Sequence, residues 1–200
     1  MNNLALAYVT CDKYSHIWSE WFGKFKQYWD IELPLYFLGE EIDCPWDGWT
    51  NIGHERVEAD NWTTKLREQV EQIPEDNIFV WLDDLVIQKK ISYEFIQIYS
   101  LFNIFKADSF RIMPRHSKSK LERMPYMVGG YRVCNVLPGW YMVSFHPNIF
   151  TKKFLLEVLK HDENPWQCEL KSRNRIINDN IYSIQIDGWL SNEIIKGIPQ

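Results

Sequence analysis

The chain has 200 residues, of which 46% are hydrophobic, and this is enough apolar content to build the core of a single domain covering 1–200. Its 22 basic and 27 acidic residues give a formal net charge of -5, which excludes a global positive field that would draw the protein to nucleic acid or anionic lipid. No run approaches the roughly 20 apolar residues of a membrane-spanning helix, and the amino terminus lacks the basic start of a signal peptide, so we expect no transmembrane segment.

The four cysteines are far apart in the sequence and form no Cys-x-x-Cys pair. They are Cys11, Cys44, Cys134 and Cys168. This spacing argues against a zinc knuckle or a thioredoxin-like site. It favours reduced, packed thiols and a cytoplasmic location.

The first quarter of the chain predicts a strand, a helix and a second strand. Residues 1–10 are mostly small and apolar, which favours a strand. Aromatic and aliphatic residues in 17–29 recur at three- and four-residue spacing, as in a helix with one apolar stripe. Residues 33–38 predict the second strand, and an acidic loop follows to about Gly53.

The middle of the chain continues the alternation. Helical periodicity predicts helices over 62–73 and 92–105, and a continuous apolar run over 78–82 predicts a strand between them. Residues 110–113 precede a proline, which disfavours a helix there and predicts an extended segment. Alternating strands and helices predict an α/β fold with a mostly parallel central sheet flanked by helices. In such sheets, ligands bind beyond the carboxyl ends of the strands.

The last third of the chain begins with a segment that has no clear hydrophobic periodicity. Residues 115–139 lack clear periodicity and begin with several basic residues, so we expect a long loop that is either solvated or a lid that binds the acceptor. Residues 140–145 predict another strand and 151–160 another helix.

Two adjacent carboxylates, Asp83 and Asp84, follow the apolar run at 78–82. An apolar run of this kind is typical of a strand covered on both faces. Two carboxylates at its end repel each other unless a cation or a hydrogen-bond donor neutralises them. They predict either a metal site or, alternatively, a simple strand end whose aspartates cap the next turn.

A second acidic cluster covers residues 162–169, with the sequence Asp-Glu-Asn-Pro-Trp-Gln-Cys-Glu. A helix-ending turn explains the Asn-Pro pair by itself. Glu169, following that turn beside Trp166, also suits a general base, because partial burial raises the pKa of a carboxyl group toward working pH.

The order of these motifs resembles that of the small GT-A-type glycosyltransferases of bacteria and their phages. The similarity extends from Ala5 to about Glu169 and rests on the apolar strand leading into Asp83-Asp84 and on the Glu-Asn-Pro-Trp-x-x-Glu segment. It implies a single Rossmann-like GT-A domain that transfers a sugar from a nucleotide-diphosphate-sugar donor to an acceptor hydroxyl. It also implies a Mn2+ or Mg2+ ion held against the donor diphosphate.

The resemblance assigns donor-binding roles to several residues. Thr10 and Asp12 would contact the nucleotide, and Trp62 and Lys65 would lie near the base, ribose or phosphates. A core anchor for Trp62 and a solvated helix residue for Lys65 are the alternatives.

The motif differs from the usual Asp-x-Asp pattern because its two aspartates are adjacent, so their side chains would point to opposite faces of a continuing strand. We therefore expect Asp84 to be the metal ligand. Asp83 would be a second ligand or a nucleotide contact.

Glu169 is our first choice for the base of an inverting displacement, and Glu163 is the second. A metal-dependent nucleotidyltransferase or phosphohydrolase is an alternative, because paired aspartates also hold metal for phosphoryl chemistry. Against it, the first strand is followed by Thr-Cys-Asp-Lys and not by a glycine-rich phosphate loop.

A non-catalytic module that binds carbohydrate or a protein partner through its tryptophans is a further alternative. The net acidity favours a saccharide or small-molecule acceptor over modified nucleic acid.

Overall fold

A nine-stranded sheet forms the centre of the protein in its computed structural model. The structure describes residues 3–113, 118–159, 162–176, 180–192, 194–195 and 198–199. The strands in chain order are β1 (Leu4–Val9), β2 (Leu35–Leu38), β3 (Thr50–Asn51), β4 (Asn77–Leu82), β5 (Leu85–Ile87), β6 (Ser109–Met113), β7 (Leu121–Val128), β8 (Tyr131–Val136), β9 (Asn148–Thr151), β10 (Ile181–Gln185), β11 (Leu190–Asn192), β12 (Ile194–Ile195) and β13 (Ile198–Pro199). The α-helices are α1 (Ser15–Tyr28), α2 (Trp62–Glu71), α3 (Ser92–Ile104), α4 (Lys152–Val158) and α5 (Pro165–Lys171).

The central sheet has the order β3-β2-β1-β4-β9-β6-β10-β8-β7. Within it, β8 and β9 run against the direction of the other seven strands. The smaller pairs are β5 with β11 and β12 with β13, both antiparallel. The expectation of an α/β fold with a mostly parallel central sheet is confirmed.

The two faces of the sheet carry separate hydrophobic cores, because alternate side chains of a strand point to opposite faces. In β1, Leu4, Leu6 and Tyr8 pack with α1 and α3 on one face. The intervening side chains, Ala5, Ala7 and Val9, pack with α2, α4 and α5 on the other. The apolar run in β4 is buried in the same two-sided way, as predicted. Within the described part of the chain, no helix has both the length and the apolar content to cross a membrane.

The predicted loop at 115–139 is wrong for residues 121–136. These residues form an antiparallel hairpin of β7 and β8, turned at Gly129 and Gly130, whose φ angles are +55° and +87°. The hairpin places β7 at the edge of the sheet, where most of its side chains are exposed, and an irregularity in register lies between Arg123 and Met127. An exposed, irregular edge strand lacks the apolar alternation that identifies strands in sequence. The beginning of the predicted loop, residues 115–117, lies outside the described residues.

The strand predicted at 140–145 is also wrong. This segment consists of turns and bends, and the next strand, β9, begins at Asn148. Tyr141 has a φ of +53°, which a regular strand does not allow. Its carbonyl oxygen accepts hydrogen bonds from the side chains of Arg111 and Ser119 instead of a neighbouring strand.

The Asn-Pro pair begins a helix and does not mark a helix-ending turn. The Asn164 side chain accepts a hydrogen bond from the Gln167 amide, the Gln167 side chain accepts one from the Asn164 amide, and Pro165 is the first residue of α5. This capping box satisfies amide groups that a helix start leaves unpaired. As a result, Glu169 lies on a helix, and the Trp166 side chain is 65% exposed.

Candidate active site

The carboxyl ends of the three parallel strands β2, β1 and β4 meet at one edge of the sheet. The ladder continues one residue beyond the strands, since the Thr10 amide donates to the Leu38 carbonyl at 3.1 Å and the Asp83 amide donates to the Val9 carbonyl at 3.2 Å. These bonds bring Thr10 and Asp83 side by side although 73 residues separate them in sequence.

Thr10 connects Asp83 to the core. Its hydroxyl donates to Asp83 Oδ2 at 2.6 Å and accepts from Trp18 Nε1 at 2.8 Å. Burial raises the pKa of Asp83 to about 7, with the Thr10 hydrogen bond opposing the shift and the charge of Asp84 adding to it. Asp83 is therefore a buried carboxyl group with one strong donor and a neighbouring charge.

Two tryptophan side chains hold the turn that carries Asp84. Both Trp21 Nε1 and Trp81 Nε1 donate to the Leu85 carbonyl, at 3.0 and 2.7 Å. Asp84 Oδ1 is buried and has no hydrogen-bond partner among the described residues. Burial raises the pKa of Asp84 to about 6, its own backbone amide opposes this, and the charge of Glu169 raises it further. A buried, unpaired carboxylate oxygen is costly unless a donor or a cation joins it.

Glu169 faces the Asp83-Asp84 turn from α5. Its Oε1 accepts from the Phe145 amide at 2.7 Å. Burial raises the pKa of Glu169, while the Phe145 amide, the Ser144 hydroxyl and the charge of Arg111 oppose the shift. The structure therefore brings together two acidic motifs that lie far apart in the sequence.

Arg111 is the most important site residue that the sequence analysis missed. It lies on β6 with 1% exposure, and its Nη1 and Nη2 donate to the Tyr141 carbonyl at 2.9 Å and to Ser119 Oγ at 3.1 Å. Burial lowers its pKa to about 10, and the charge of Glu169 opposes the shift. Its Nε has no partner within the described segments. An isolated arginine inside an apolar strand was the available signal.

A second charged pair lies beside Thr10. Lys65, which is 2% exposed, donates from Nζ to Glu40 Oε1 at 3.0 Å, and Glu40 Oε2 accepts from the Asp12 amide at 3.1 Å. The Asp12 carboxylate accepts from the backbone amides of Glu41 and Ile42 at 3.3 and 3.2 Å. The alternative prediction of a solvated Lys65 is therefore wrong. The hydrogen bonds of Asp12 connect the loop after β1 to the loop after β2. Glu40 was also missed, although its position after Gly39 at a strand end was a signal.

Trp62 and Glu163, the two remaining predicted site residues, differ in their surroundings. Trp62 is half-buried, and its ring centroid lies 5.0 Å from that of Phe145, whose amide binds Glu169. Glu163 is held in an ion pair, because both of its carboxylate oxygens accept from Arg175 at 3.0 Å and Lys171 Nζ lies 3.5 Å from Oε1.

The Asp83 and Asp84 carboxylates fit a divalent cation that has further ligands from outside the protein. Across the described ranges, no group of three or more histidine, cysteine, aspartate or glutamate side chains converges as a metal site. Asp84 nevertheless offers a buried oxygen without a partner, and Asp83 adjoins it. Mg2+ and similar hard cations are commonly held by one or two carboxylates together with substrate phosphates and water. The chain therefore fits a metal bound jointly with a diphosphate.

Solved structures of nucleotide-binding proteins share this fold, whereas no protein family and no curated protein matches the sequence. S. aureus TarS aligns with 94% of this chain and 36% of its own, with a TM-score of 0.58 and 10% identity. TarS 1–349 in complex with UDP-GlcNAc aligns with 94% of this chain and 57% of its own, with a TM-score of 0.58 and 11% identity.

The UTP-bound UGPase of Acinetobacter baumannii aligns over 96% of this chain and 88% of its own, with a TM-score of 0.60 and 8% identity. The chain spans less than two thirds of the TarS structures, 36% of the longer one and 57% of the shorter. At these identities the likeness establishes the fold: a mixed α/β architecture shared with proteins solved with UDP-GlcNAc or UTP.

Proposed function

We propose that this protein is a glycosyltransferase that takes its sugar from a nucleotide-diphosphate-sugar donor. The observation that carries the proposal is the proximity of Asp84, with its unpartnered buried oxygen, to the half-buried Glu169 at the carboxyl edge of the sheet. The fold supports a uridine donor, because structures that share it contain UDP, UDP-GlcNAc or UTP. Ligands in open α/β sheets bind at this edge.

On the donor side, the nucleotide would lie across the ends of β1 and β2. Thr10 and Asp12 border this region, and the half-buried ring of Trp62, which packs on Phe145, would contact the nucleotide from α2. Lys65 would direct positive charge toward the phosphates, with Glu40 fixing its side chain at 3.0 Å. Asp83, held by Thr10, would position Asp84 and contribute charge to the metal.

Asp84 would hold Mn2+ or Mg2+ together with the donor diphosphate, and Asp83 would support it. When bound, such an ion supplies positive charge to the leaving diphosphate. The buried environment of Asp84 strengthens that attraction, since charges interact more strongly where water is excluded.

Glu169 would act as the general base. As the acceptor oxygen bonds to the anomeric carbon, the bond from that carbon to the diphosphate oxygen breaks, and the acceptor proton passes to Glu169. The diphosphate leaves with the bonding electron pair, and attack from the opposite face inverts the anomeric centre. Arg111 would keep a fraction of Glu169 ionised, because its charge opposes the rise in the pKa of Glu169 that burial causes.

Glu163 is a weaker candidate for the base, because Arg175 engages both of its oxygens. The acceptor would be a saccharide or small molecule and not modified nucleic acid, and the cytoplasm, where its donors would be available, remains our expected location.

The test is a product assay with UDP-, GDP-, CMP- and dTDP-sugars, an oligosaccharide acceptor panel and MnCl2. We expect release of nucleoside diphosphate from a UDP-, GDP- or dTDP-sugar, and this release should depend on Mn2+ and fall in Asp84→Asn. Glu169→Gln should lose about 10²- to 10⁴-fold in transfer while retaining donor binding by calorimetry. Glu163→Gln is the matched control, and it should retain transfer. Absence of donor binding in the wild type, with Asp84→Asn unchanged in every measured property, would falsify the proposal.

A nucleotidyltransferase is the second candidate, favoured by the alignment with 88% of the UTP-bound UGPase chain. It would release pyrophosphate from UTP and a sugar 1-phosphate, so a pyrophosphate assay under the same conditions separates the two activities. A carbohydrate-binding module would bind sugars without metal and release neither product.

A further inference from the structure

An exposed aromatic and basic surface lies next to the candidate active site. It consists of Trp140, Arg173 and Lys120, and we refer to it as the Trp140 surface. Trp140 is 58% exposed, and the guanidinium carbon of Arg173 lies 4.4 Å from its ring centroid. The Lys120 side chain passes the same loop, since its Cδ would lie 3.7 Å from a Cβ atom added to Gly139.

Two segments connect this surface to Glu169. Arg173 follows Glu169 by four residues, in the 3-10 helix Ser172–Asn174, where Ser172 Oγ donates to the Glu169 carbonyl at 3.0 Å. Trp140 precedes Tyr141, whose carbonyl is held by the buried Arg111 at 2.9 Å, and the Arg111 charge acts on Glu169. Both segments that carry the surface are therefore connected to Glu169, one through Ser172 and the other through Arg111.

The loop that carries Trp140 is held in an unfavourable backbone conformation. Tyr141 has a φ of +53°, which is uncommon for a bulky residue. Ser119 Oγ donates a second hydrogen bond, 2.6 Å long, to the carbonyl that Arg111 already binds. A strained residue persists where surrounding contacts over-determine it, and such residues concentrate at ligand sites. Trp140 is thus presented on a fixed loop.

Among the described residues, the charges of the surface have no acidic counterpart. No carboxylate in the described segments lies within 4.0 Å of a nitrogen of Arg173 or Lys120, although the chain has a formal net charge of -5. The Arg173 guanidinium covers part of the indole and leaves much of it open to solvent. An apolar ring beside two unpaired cations complements a ligand with an apolar face and an anionic group.

We propose that the Trp140 surface binds an anionic saccharide as the acceptor, a step that rests on the proposed function. A sugar ring carried by the acceptor packs its C–H face on Trp140. Its carboxylate or phosphate group pairs with Arg173 and Lys120, and the adjoining hydroxyl points toward Glu169. Nucleic acid is the competing occupant, because it also combines stacking faces with negative charge.

The test is calorimetry of the full chain with hexagalacturonate, glucose 6-phosphate, neutral maltohexaose and a six-nucleotide oligothymidylate. The UDP-, GDP-, CMP- and dTDP-sugars of the product assay are titrated separately with MnCl2 as donors. The variants are Trp140→Ala and Arg173→Gln. Their matched controls are Tyr93→Ala, an aromatic residue that is 66% exposed on α3, and Arg132→Gln, an exposed arginine on β8. Urea unfolding of each variant shows whether it folds.

We expect the wild type to bind hexagalacturonate or the sugar phosphate more tightly than maltohexaose. Trp140→Ala and Arg173→Gln should each weaken that binding about tenfold, whereas the two controls and donor binding should not change. Equal binding of the neutral sugar, unchanged binding in both variants, or tighter binding of the oligothymidylate would each overturn the inference.

The outcomes also separate this inference from the proposed function. Donor binding without any saccharide binding overturns the acceptor surface and leaves the glycosyltransferase proposal standing. Saccharide binding that depends on Trp140, without any donor binding, overturns the glycosyltransferase proposal and leaves a saccharide-binding surface.

Discussion

The hydroxyl of Thr10 donates a 2.6 Å hydrogen bond to Asp83 Oδ2, and the same oxygen accepts the indole N–H of Trp18 at 2.8 Å. Because Trp18 can only donate, the hydroxyl proton is left to point at Asp83. A buried tryptophan of α1 thus fixes the direction of a hydrogen bond at the end of β1. The core therefore acts on the Asp83 carboxyl group through this oxygen atom, and on the following turn through the bonds of Trp21 and Trp81 to the Leu85 carbonyl.

We predict that Thr10→Val lowers the free energy of unfolding by about 1–3 kcal/mol, since valine leaves both Trp18 Nε1 and Asp83 without their partner at nearly constant volume. Urea denaturation measures this loss. Thr10→Ser retains the hydroxyl and is the matched control, with an expected loss of less than about 1 kcal/mol. A loss in Thr10→Val no larger than the loss in Thr10→Ser would contradict the role of the hydroxyl.

Breaking the ion pair of Glu163 should reduce stability without affecting donor binding. Arg175→Met leaves a carboxylate with 5% exposure whose remaining charged partner among the described residues is Lys171, and we expect a loss of about 3 kcal/mol in the free energy of unfolding. The double variant Glu163→Leu/Arg175→Met removes both charges and should recover part of the loss. Denaturation and donor calorimetry test the two halves of the prediction, and weakened donor binding in a folded variant would contradict the second.

Two adjacent glycines in the β7–β8 turn should respond differently to alanine. Both have positive φ angles, so each alanine variant is strained by about 1 kcal/mol. A Cβ atom on Gly129 would also lie 2.8 Å from Glu94 Cγ, whereas one on Gly130 would meet nothing within 4 Å. Gly129→Ala should therefore be the less stable variant by thermal unfolding, and Glu94→Ala should relieve part of its extra cost. If Gly130→Ala is equally destabilised, the contact with Glu94 is irrelevant.

Cys168 should make the protein sensitive to alkali. Burial raises the pKa of its thiol to about 12, from the ordinary value of 9.0. Because the folded-state pKa is the higher one, its contribution to stability is complete below about pH 9 and is lost as the pH rises toward 12. We expect the wild type to lose on the order of 2 kcal/mol more than Cys168→Ala between about pH 8 and 11. Urea denaturation across this range measures the difference, and a constant difference would contradict the prediction.

The sequence predicted the part of the fold in which periodicity is strong. The strands β1 and β4 and the helices α1, α2 and α3 all lie where apolar spacing indicated them. The hairpin of β7 and β8 was missed because an exposed edge strand need not alternate in hydrophobicity. The strand predicted at 140–145 was wrong because aromatic residues favour strands, and the positive φ of Tyr141 cannot be read from the residue type.

The candidate site was only partly visible in the sequence. Asp83 and Asp84 could be predicted because they interrupt an apolar run, and Glu169 because of its motif. Arg111 and Glu40 could not be assigned, since their roles depend on contacts with residues about 25 to 58 positions away. Glu163 and Glu169 belong to one motif, and only tertiary contacts distinguish an ion-paired carboxylate from one beside Asp84.

The position of β10 in the sheet has a consequence for folding. This strand lies between β6 and β8, so the β7–β8 hairpin joins the sheet only through a strand that is synthesised some 45 residues after β8. During translation the hairpin therefore emerges without its docking partner, and β6, which carries Arg111, has an unpaired edge. Non-local pairing of this kind is slow to form. We therefore expect the edge of β6 that carries Arg111 to be covered, and the hairpin to join the sheet, among the last steps of folding.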